Sequence, residues 1–241
     1  AGIPCRRGTI FQAGRNLLIN DAVCLKDMEN KHQQWEISRL ILPQPQPETL
    51  PPPEIIPSEE AAEKALAQLK NQPRPILACI PGAARGPSKQ WPGERFQAVA
   101  KEWIAQTGGS VCWLGTPADE SLCEGLNAPL GTKGISLAGK TTLQEFTALL
   151  QQVDQALVND SGGMHLAAAV GTPLVAIFGN TDPVKTGPLS DQACILQKSE
   201  WKNRSIGRHS DAALDALAKV TVDEVIEPTL AKHLPLRKGI L

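Results

Sequence analysis

The residues best placed for chemistry lie in two turns, and the more informative one is residues 159–163, Asn-Asp-Ser-Gly-Gly. It ends the apolar run 156–158 and leads into a helical stretch of small residues. Ser-Gly-Gly at the start of a helix offers backbone N–H groups that lack intrahelical partners, together with the positive end of the helix dipole. Both features suit a phosphate, so the sequence predicts an anion site at Ser161, Gly162 and Gly163.

The other turn, residues 81–92, is rich in glycine and carries two cations, Arg85 and Lys89. Gly82, between Pro81 and Ala83, allows close backbone approach by a ligand. Loop cations are more often simply solvated, and the Trp-Pro pair at its end more often packs in the core. The functional alternative is that Lys89 meets a diphosphate as a compact point charge. If it faces the Ser-Gly-Gly turn across neighbouring strand ends, the two turns would hold a diphosphate from both sides.

Two side chains of the first turn have alternative interpretations. Asp160 either caps the following helix or, if Ser161 is the cap, is free to bind ligand hydroxyls. His165, about one turn into the helix, either packs as a hydrogen-bonded core residue or donates to a phosphoryl oxygen.

A third group of polar residues follows two other apolar runs. Asp119 and Glu120 come just after residues 111–115, where an acid can hold ribose hydroxyls or merely supply favourable charge to a helix's first turn. Thr142 has the position of a helix N-cap, and the backbone around Thr141 is expected to line a base pocket.

Apolar runs alternate with helical stretches from residue 76 onward, which predicts βαβ crossovers and a parallel sheet buried on both faces. The fold class is therefore α/β, a doubly wound domain from about 74 to 225. The predicted strands are 76–80, 111–115, 134–138, 155–159, 174–178 and 193–197. The predicted helices between them are 94–106, 118–126, 143–152 and 163–170.

The flanking regions are less regular. Residues 1–42 contain a predicted helix at 31–42 but too little apolar sequence for an independent core, and the proline-rich stretch 43–57 is a stiff connector. Ser58 caps the next helix. Residues 199–212 read as a surface loop, Thr221 and Glu224 as a capping box, and Pro228 as a kink before a second helical piece. The C-terminal tail is basic and carries Lys232, His233, Arg237 and Lys238. It is either a solvated terminus or a face for an anionic membrane.

Composition excludes several classes of protein. The chain has 241 residues, 41% hydrophobic and 20% charged, with a formal net charge of -1, so it lacks the basic surface of a nucleic-acid binder. No run reaches the ~20 apolar residues of a membrane span, and no signal peptide is visible. None of the six cysteines has metal-ligand spacing, and those in apolar runs (Cys79, Cys112, Cys194) are expected to be buried free thiols of a reducing compartment.

The two turns together, PGAARGPSKQWP at 81–92 and NDSGGMHLAAAVGTPLVAIFGNTDP at 159–183, resemble the bacterial ADP-heptose:lipopolysaccharide heptosyltransferases, glycosyltransferase family nine. Within that family the form PGA-x-x-GP-x-K-x-WP is most similar to heptosyltransferase II. The resemblance covers roughly residues 74 to 230. It implies the GT-B fold of two facing Rossmann-like domains, of which this chain carries the C-terminal, donor-binding one.

The resemblance also implies roles for individual residues. Lys89 matches the diphosphate-binding lysine, Asp119 the ribose-binding acid and Thr141 the adenine-lining position. Asp160, Ser161, Gly162 and His165 match the motif that contacts the donor's phosphates and heptose, and Gly163 and Arg85 lie in the matching turns. The implied donor is ADP-heptose, and the implied acceptor is the lipid A-Kdo/heptose core at the cytoplasmic side of the inner membrane. The implied reaction is an inverting transfer without metal or other cofactor.

The same resemblance implies that the family's glycine-rich first turn and catalytic aspartate have no counterpart after Ala1. We therefore expect residues 1–42 to be a remnant of the acceptor-side domain, 43–57 a linker, 58–225 the donor domain and 226–241 a C-terminal helix and tail. No catalytic base is assigned, and the chain alone is expected to be inactive. A non-catalytic nucleotide-sugar-binding module, or a transferase for another nucleotide sugar, is the alternative.

Overall fold

The computed structural model describes residues 3–9, 17–25, 28, 30–42, 51–199, 207 and 209–231. The chain forms two compact units: Ala1–Pro51 with Asp182–Gly187, and Pro52–Thr181 with Pro188–Leu241. The strands are β1 (Arg7–Gly8), β2 (Asp21–Ala22), β3 (Ile76–Ile80), β4 (Ser110–Trp113), β5 (Gly134–Ser136), β6 (Gln155–Asn159), β7 (Leu174–Phe178) and β8 (Ala193–Gln197). The α-helices are α1 (Gln33–Ile41), α2 (Glu59–Leu69), α3 (Gly93–Thr107), α4 (Glu120–Asn127), α5 (Leu143–Gln152), α6 (Gly162–Ala169), α7 (Pro183–Thr186), α8 (Asp211–Ala218) and α9 (Val222–Leu230).

The larger unit is built on a six-stranded sheet, entirely parallel, in the order β5-β4-β3-β6-β7-β8. Its central strands β3, β4, β6 and β7 are buried along their whole length, because helices cover both faces. One core layer gathers around Leu149 and Met164, and the other around Phe96 and Trp103. The predicted doubly wound α/β fold is confirmed.

Helix starts follow the local signals in the sequence. Ser58 caps α2, Thr142 forms a capping box with Glu145 at α5, and Thr221 forms one with Glu224 at α9. Each cap satisfies backbone donors that a helix start leaves without intrahelical acceptors. These three predictions are confirmed.

The strands after β3 on one side of the sheet are shorter than predicted. β4 ends at Trp113 instead of residue 115, and β5 ends at Ser136 instead of 138. Leu114 and Leu137 each still donate one backbone hydrogen bond, to Cys79 O and Trp113 O, both at 2.9 Å. Beyond those bonds the chain turns out of the sheet, so apolar sequence continues past the end of regular pairing.

The C-terminal region differs more from the prediction. Residues 211–218 form helix α8, capped by Ser210, where the sequence suggested loop up to 212 and no helix. Helix α9 continues through Pro228 to Leu230, so the predicted kink there stays a prediction, and the second helical piece expected in the tail lies outside the described residues. Proline removes one N–H bond near the end of the helix, where little of it remains to disrupt. The basic tail, Lys232, His233, Arg237 and Lys238, lies outside the described residues.

The smaller unit contains the short parallel pair β1–β2 and helix α1, which confirms the helix predicted at 31–42. It also contains α7, which follows β7 in sequence. Lys185 of α7 is buried, donates to Met28 O at 2.6 Å and pairs with Glu36 at 3.4 Å. Nothing in the sequence pointed to this grouping, because the partners are about 150 residues apart. The domain limits given above from sequence stay a prediction.

None of the helices in the described ranges is long and apolar enough to cross a membrane.

Candidate functional site

The strand order places the two predicted turns side by side. The chain leaves β3 in one direction to build β4 and β5, then returns to β6 on the other side of β3 and continues to β7 and β8. β3 and β6 are therefore neighbours at the point where the order reverses. In open α/β sheets, ligands bind in the crevice at the carboxyl ends of the strands at such a point. The turns after β3 and β6 form that crevice.

Lys89 and Asp160 meet across the crevice as an ion pair, Nζ to Oδ2. Lys89 ends a short 3-10 turn, Pro87–Lys89, which follows Gly86. Gly86 has a φ of 89°, a conformation that favours glycine and here aims the turn toward β6. The paired side chains are only 13% and 6% exposed, so the charges neutralise each other in a largely water-excluded position. Asp160 is thus engaged with Lys89, and its binding of ligand hydroxyls stays a prediction.

The start of α6 forms the next part of the site. Ser161 is the N-cap with an extended backbone, but its side chain makes no capping hydrogen bond. Its Oγ atom is buried and lacks a hydrogen-bond partner within the described part of the chain. Gly162 and Gly163 begin the helix, so their amides have no intrahelical acceptor. The turn thus presents several polar donors suited to an anion.

The two glycines of this turn have different structural roles. A Cβ on Gly163 would lie 2.7 Å from Ile80 Cδ1, so a larger residue there would require the Ile80 side chain to shift. A Cβ on Gly162 would meet nothing within 4 Å, and this residue is exposed at the crevice.

A cleft of about 350 Å³ opens beside this turn. Its walls are largely apolar, with Ile80, Phe146 and Leu166 among them. Of the nine residues that the family resemblance places in the donor site, five line this cleft: Asp119, Thr141, Ser161, Gly162 and Gly163. Lys89 and Asp160 flank the cleft beyond Ser161 and are not part of its lining. An apolar cleft next to an anion site fits a ligand with a flat ring at one end and phosphates at the other.

Asp119 stands in the wall of this cleft with one oxygen already engaged. Oδ2 accepts hydrogen bonds from Thr116 N at 2.8 Å and Thr116 Oγ1 at 2.7 Å. The same carboxylate presses on Gly82, where a Cβ would lie 2.2 Å from Oδ1. Asp119 therefore lies in the first turn of a helix, as one interpretation predicted, and also forms a capping box with Thr116 that was not predicted. Its role toward ribose stays a prediction, and Oδ1 is the oxygen left for a ligand. Thr141 is half-buried at the opposite wall, next to the helix cap Thr142.

His165 and Arg85 are both exposed and lie outside the lining of the cleft. His165 sits in the first turn of α6, so it is not the packed core histidine of the alternative interpretation. Within the described ranges, Arg85 makes no hydrogen bond or ion pair. The structure therefore does not bring Arg85 into the cluster formed by Lys89, Asp160 and Ser161.

Sequence reasoning missed Asn159, the last residue of β6. Its side chain is fully buried, accepts from Trp91 N at 3.0 Å and donates to Pro81 O at 2.8 Å. These two backbone groups mark the beginning and end of the lysine-bearing turn. An asparagine at the end of an otherwise apolar strand was the signal, because a buried amide needs partners.

The cysteines take no part in the site. Cys79, Cys112 and Cys123 are buried free thiols, whereas Cys194 is only half-buried, less than its apolar run suggested. Burial raises the pKa of the Cys112 thiol to about 12, and burial together with the charge of Asp119 does the same for Cys123. In the portion of the chain described here, no three His, Cys, Asp or Glu side chains group as a metal site.

A doubly wound parallel sheet with a lysine, an open helix start and an apolar cleft at its switch point is the arrangement typical of nucleotide-binding α/β domains. Comparison with known sequences makes the class specific. The family model for glycosyltransferase family 9 (heptosyltransferase) matches residues 31–213, and the chain belongs to this family.

Individual relatives agree with the family. The chain is 35% identical over 164 residues to lipooligosaccharide heptosyltransferase 2 of Haemophilus influenzae, covering 64% of this chain and 47% of the relative. It is 33% identical over 190 residues to lipopolysaccharide heptosyltransferase 2 of Escherichia coli, covering 74% and 54%. The chain thus spans about half the length of the curated relatives it matches.

Solved structures support the same fold. The E. coli ADP-heptose heptosyltransferase II superposes with a TM-score of 0.71 at 28% identity, covering 90% of this chain and 66% of that one. The E. coli heptosyltransferase WaaC, solved with ADP, superposes at 0.61 and 18% identity, covering 87% and 58%. These neighbours confirm the Rossmann-like architecture expected of a GT-B donor domain.

Proposed function

We propose that this chain supplies the donor-binding part of a heptosyltransferase that transfers heptose from ADP-L-glycero-D-manno-heptose to the lipopolysaccharide inner core with inversion. The observation that carries the proposal is the convergence of Lys89, the Ser161-Gly162-Gly163 helix start and an apolar cleft at one switch point. The family membership and the heptosyltransferase 2 relatives support heptose as the transferred sugar.

In this proposal the cleft receives the adenosine of the donor. The adenine ring packs between the apolar walls near Phe146 and Leu166, beside Thr141, and Asp119 Oδ1 accepts from a ribose hydroxyl. The diphosphate then reaches the start of α6, where the amides of Gly162 and Gly163 and the hydroxyl of Ser161 donate to its oxygens. Asp160 and His165 are the side chains assigned to the heptose and its phosphate.

The charge of Lys89 has a specific use in the reaction. An acceptor hydroxyl, deprotonated by a carboxylate, attacks the anomeric carbon, the bond from that carbon to the phosphate oxygen breaks, and ADP leaves with an added negative charge. Lys89 and the positive end of α6 stabilise that charge, more strongly than in water because both lie in a partly water-excluded site. We assign no residue of this chain as the base.

The proposed acceptor is the lipid A-Kdo/heptose core at the cytoplasmic surface of the inner membrane. This assignment is supported by the relatives, which are heptosyltransferases of lipooligosaccharide and of lipopolysaccharide. The acceptor sugar and its linkage are left open by the proposal.

Calorimetry on the 241-residue chain with ADP, UDP and GDP tests the donor assignment. We expect ADP to bind about tenfold more tightly than the other two, since the apolar cleft selects the base while the diphosphate contacts are shared. The affinities of adenosine and AMP are measured alongside. They show how much of the binding free energy comes from the cleft and how much from the phosphate site. Equal affinity for the three nucleoside diphosphates would refute the proposal of an ADP-sugar donor.

A further inference from the structure

We infer that Asn159 is the positioning residue that holds Lys89 in place for the donor's diphosphate, an inference that rests on the proposed function. Asn159 is itself kept from the ligand by complete burial, so it acts through the lysine-bearing turn. Asn159 immediately precedes Asp160 in the chain. Its hydrogen bonds therefore connect the lysine-bearing turn directly to the turn that begins with Asp160 and Ser161.

The side chain of Asn159 joins the turn at both of its ends. Nδ2 donates to the carbonyl of Pro81, the first residue after β3, and Oδ1 accepts from the amide of Trp91, just before α3. The nine residues between these anchors include the 3-10 turn that ends in Lys89. One amide group therefore fixes the span of the turn relative to the end of β6.

Other contacts anchor the turn to a different part of the domain. Trp91 Nε1 donates to Val220 O at 3.0 Å, and Ser88 Oγ accepts from Ser210 N at 2.8 Å. Those bonds attach the turn to the C-terminal helices, on the side away from α6. Asn159 alone among these anchors belongs to the strand that leads to Asp160 and Ser161, so it sets the distance between Lys89 and the helix start.

The chemistry of the two bonds explains why an asparagine is needed. The site demands one donor and one acceptor on the same planar group, which an amide provides. A carboxylate in its place could accept from Trp91 N but would face the Pro81 carbonyl oxygen with another acceptor. A buried acceptor without a donor is costly, so the turn would move away at its Pro81 end.

The test measures ADP and adenosine affinity by calorimetry for the full chain and for Asn159→Asp. We expect ADP to bind roughly tenfold more weakly to the variant, as for partial loss of a charged hydrogen bond, with adenosine changed less than about twofold. Thr172→Val is the matched control, because Thr172 is buried and its Oγ1 donates to Leu150 O at 2.6 Å near the amino ends of the strands. It should leave both affinities unchanged.

A double-mutant cycle with Lys89→Met shows whether Asn159 acts through the lysine. In the Lys89→Met background, Asn159→Asp should change ADP affinity by less than about twofold, since the interaction it supports is already gone. If Asn159→Asp does not fold, Asn159→Ser, smaller and uncharged, is measured in its place.

The possible failures are distinguishable. If the unchanged chain does not bind ADP, the proposed function is overturned and this inference with it. If the chain binds ADP but the asparagine variants weaken ADP and adenosine equally, or add their full effect in the Lys89→Met background, the positioning role is overturned and the proposed function stands.

Discussion

Lys89 and Asp160, 71 residues apart in sequence, form a largely buried ion pair at the centre of the crevice. The pair balances two charges that the structure takes largely out of water, a step that is expensive for either charge alone. A diphosphate entering the site brings the negative charge that Lys89 otherwise takes from Asp160. In the proposed function, Asp160 exchanges this partner for the donor sugar when the diphosphate pairs with Lys89.

Asp160→Asn should destabilise the ligand-free chain, because Lys89 keeps its charge in a position only 13% exposed and loses its ionic partner. We expect a loss of about 1–3 kcal/mol in the free energy of unfolding, measured by urea denaturation. Saturating ADP should recover part of this loss by supplying negative charge to Lys89. Asp191→Asn, at an exposed position, is the control and should change little. Equal stability of Asp160→Asn and the unchanged chain would show that the pair contributes nothing.

Lys89→Met should weaken ADP about 10- to 100-fold while sparing adenosine, since a charged hydrogen bond to phosphate is lost and the cleft is intact. The aliphatic replacement fills the space of the lysine stem. Lys101→Met, an exposed lysine of α3, is the control for loss of a positive charge. Calorimetry on all three proteins gives the comparison, and an equal loss in both variants would indicate a general electrostatic effect.

Gly82→Ala should damage both stability and adenosine binding. Its Cβ would lie 2.2 Å from Asp119 Oδ1, so the carboxylate must move and its capping bonds to Thr116 are strained. We expect the free energy of unfolding to fall by about 1–3 kcal/mol, as for other overpacked sites. Gly125→Ala, inside α4, is the matched control, because a Cβ there meets nothing within 4 Å. Alanine at this position should raise the free energy of unfolding by about 0.5–1 kcal/mol. Urea denaturation that ranks the two variants equally would contradict this account.

The buried thiols predict a loss of stability at high pH. The pKa of Cys112 is raised from 9.0 to about 12 by burial, so above pH 9 the unfolded chain releases a proton that the folded chain retains. The stabilising contribution is complete below pH 9 and is lost between pH 9 and 12, by up to about 1.4 kcal/mol per pH unit for each such thiol. Urea denaturation at pH 8 and pH 10 should show a smaller decline for Cys112→Ala than for the unchanged chain. Identical declines would refute the effect.

Local sequence patterns were sufficient for most of the fold. All six strands of the large sheet and the four helices α3 to α6 follow from runs of apolar residues and from caps such as Thr142, whereas the short helix α7 between β7 and β8 was not predicted. These signals are local, since a cap acts within one turn and a buried strand requires only its own apolar residues. Helix α8 was missed because it begins within a polar stretch, although its Ser210 cap, Asp211 in its first turn and the buried Ala213, Ala216 and Leu217 at helical spacing were local indications.

The candidate site was predicted in part. The sequence indicated Lys89 and the Ser161-Gly162-Gly163 helix start, because a cation and a helix start have intrinsic affinity for phosphate. It could not indicate that Asp160 pairs with Lys89 or that Asn159 holds Pro81 and Trp91. Those partners come from distant segments, and a polar side chain carries no local sign of which distant group it will meet.

The sequence by itself determined the α/β class, the two turns of the candidate site and the family, because each element and each motif depends on residues that are close together along the chain. The tertiary structure alone decided that β6 lies against β3, and with it that the two turns form one crevice. Strand order depends on how the helices pack on both faces, a property of the whole domain. The contact between Lys89 and Asp160 is a direct result of that order.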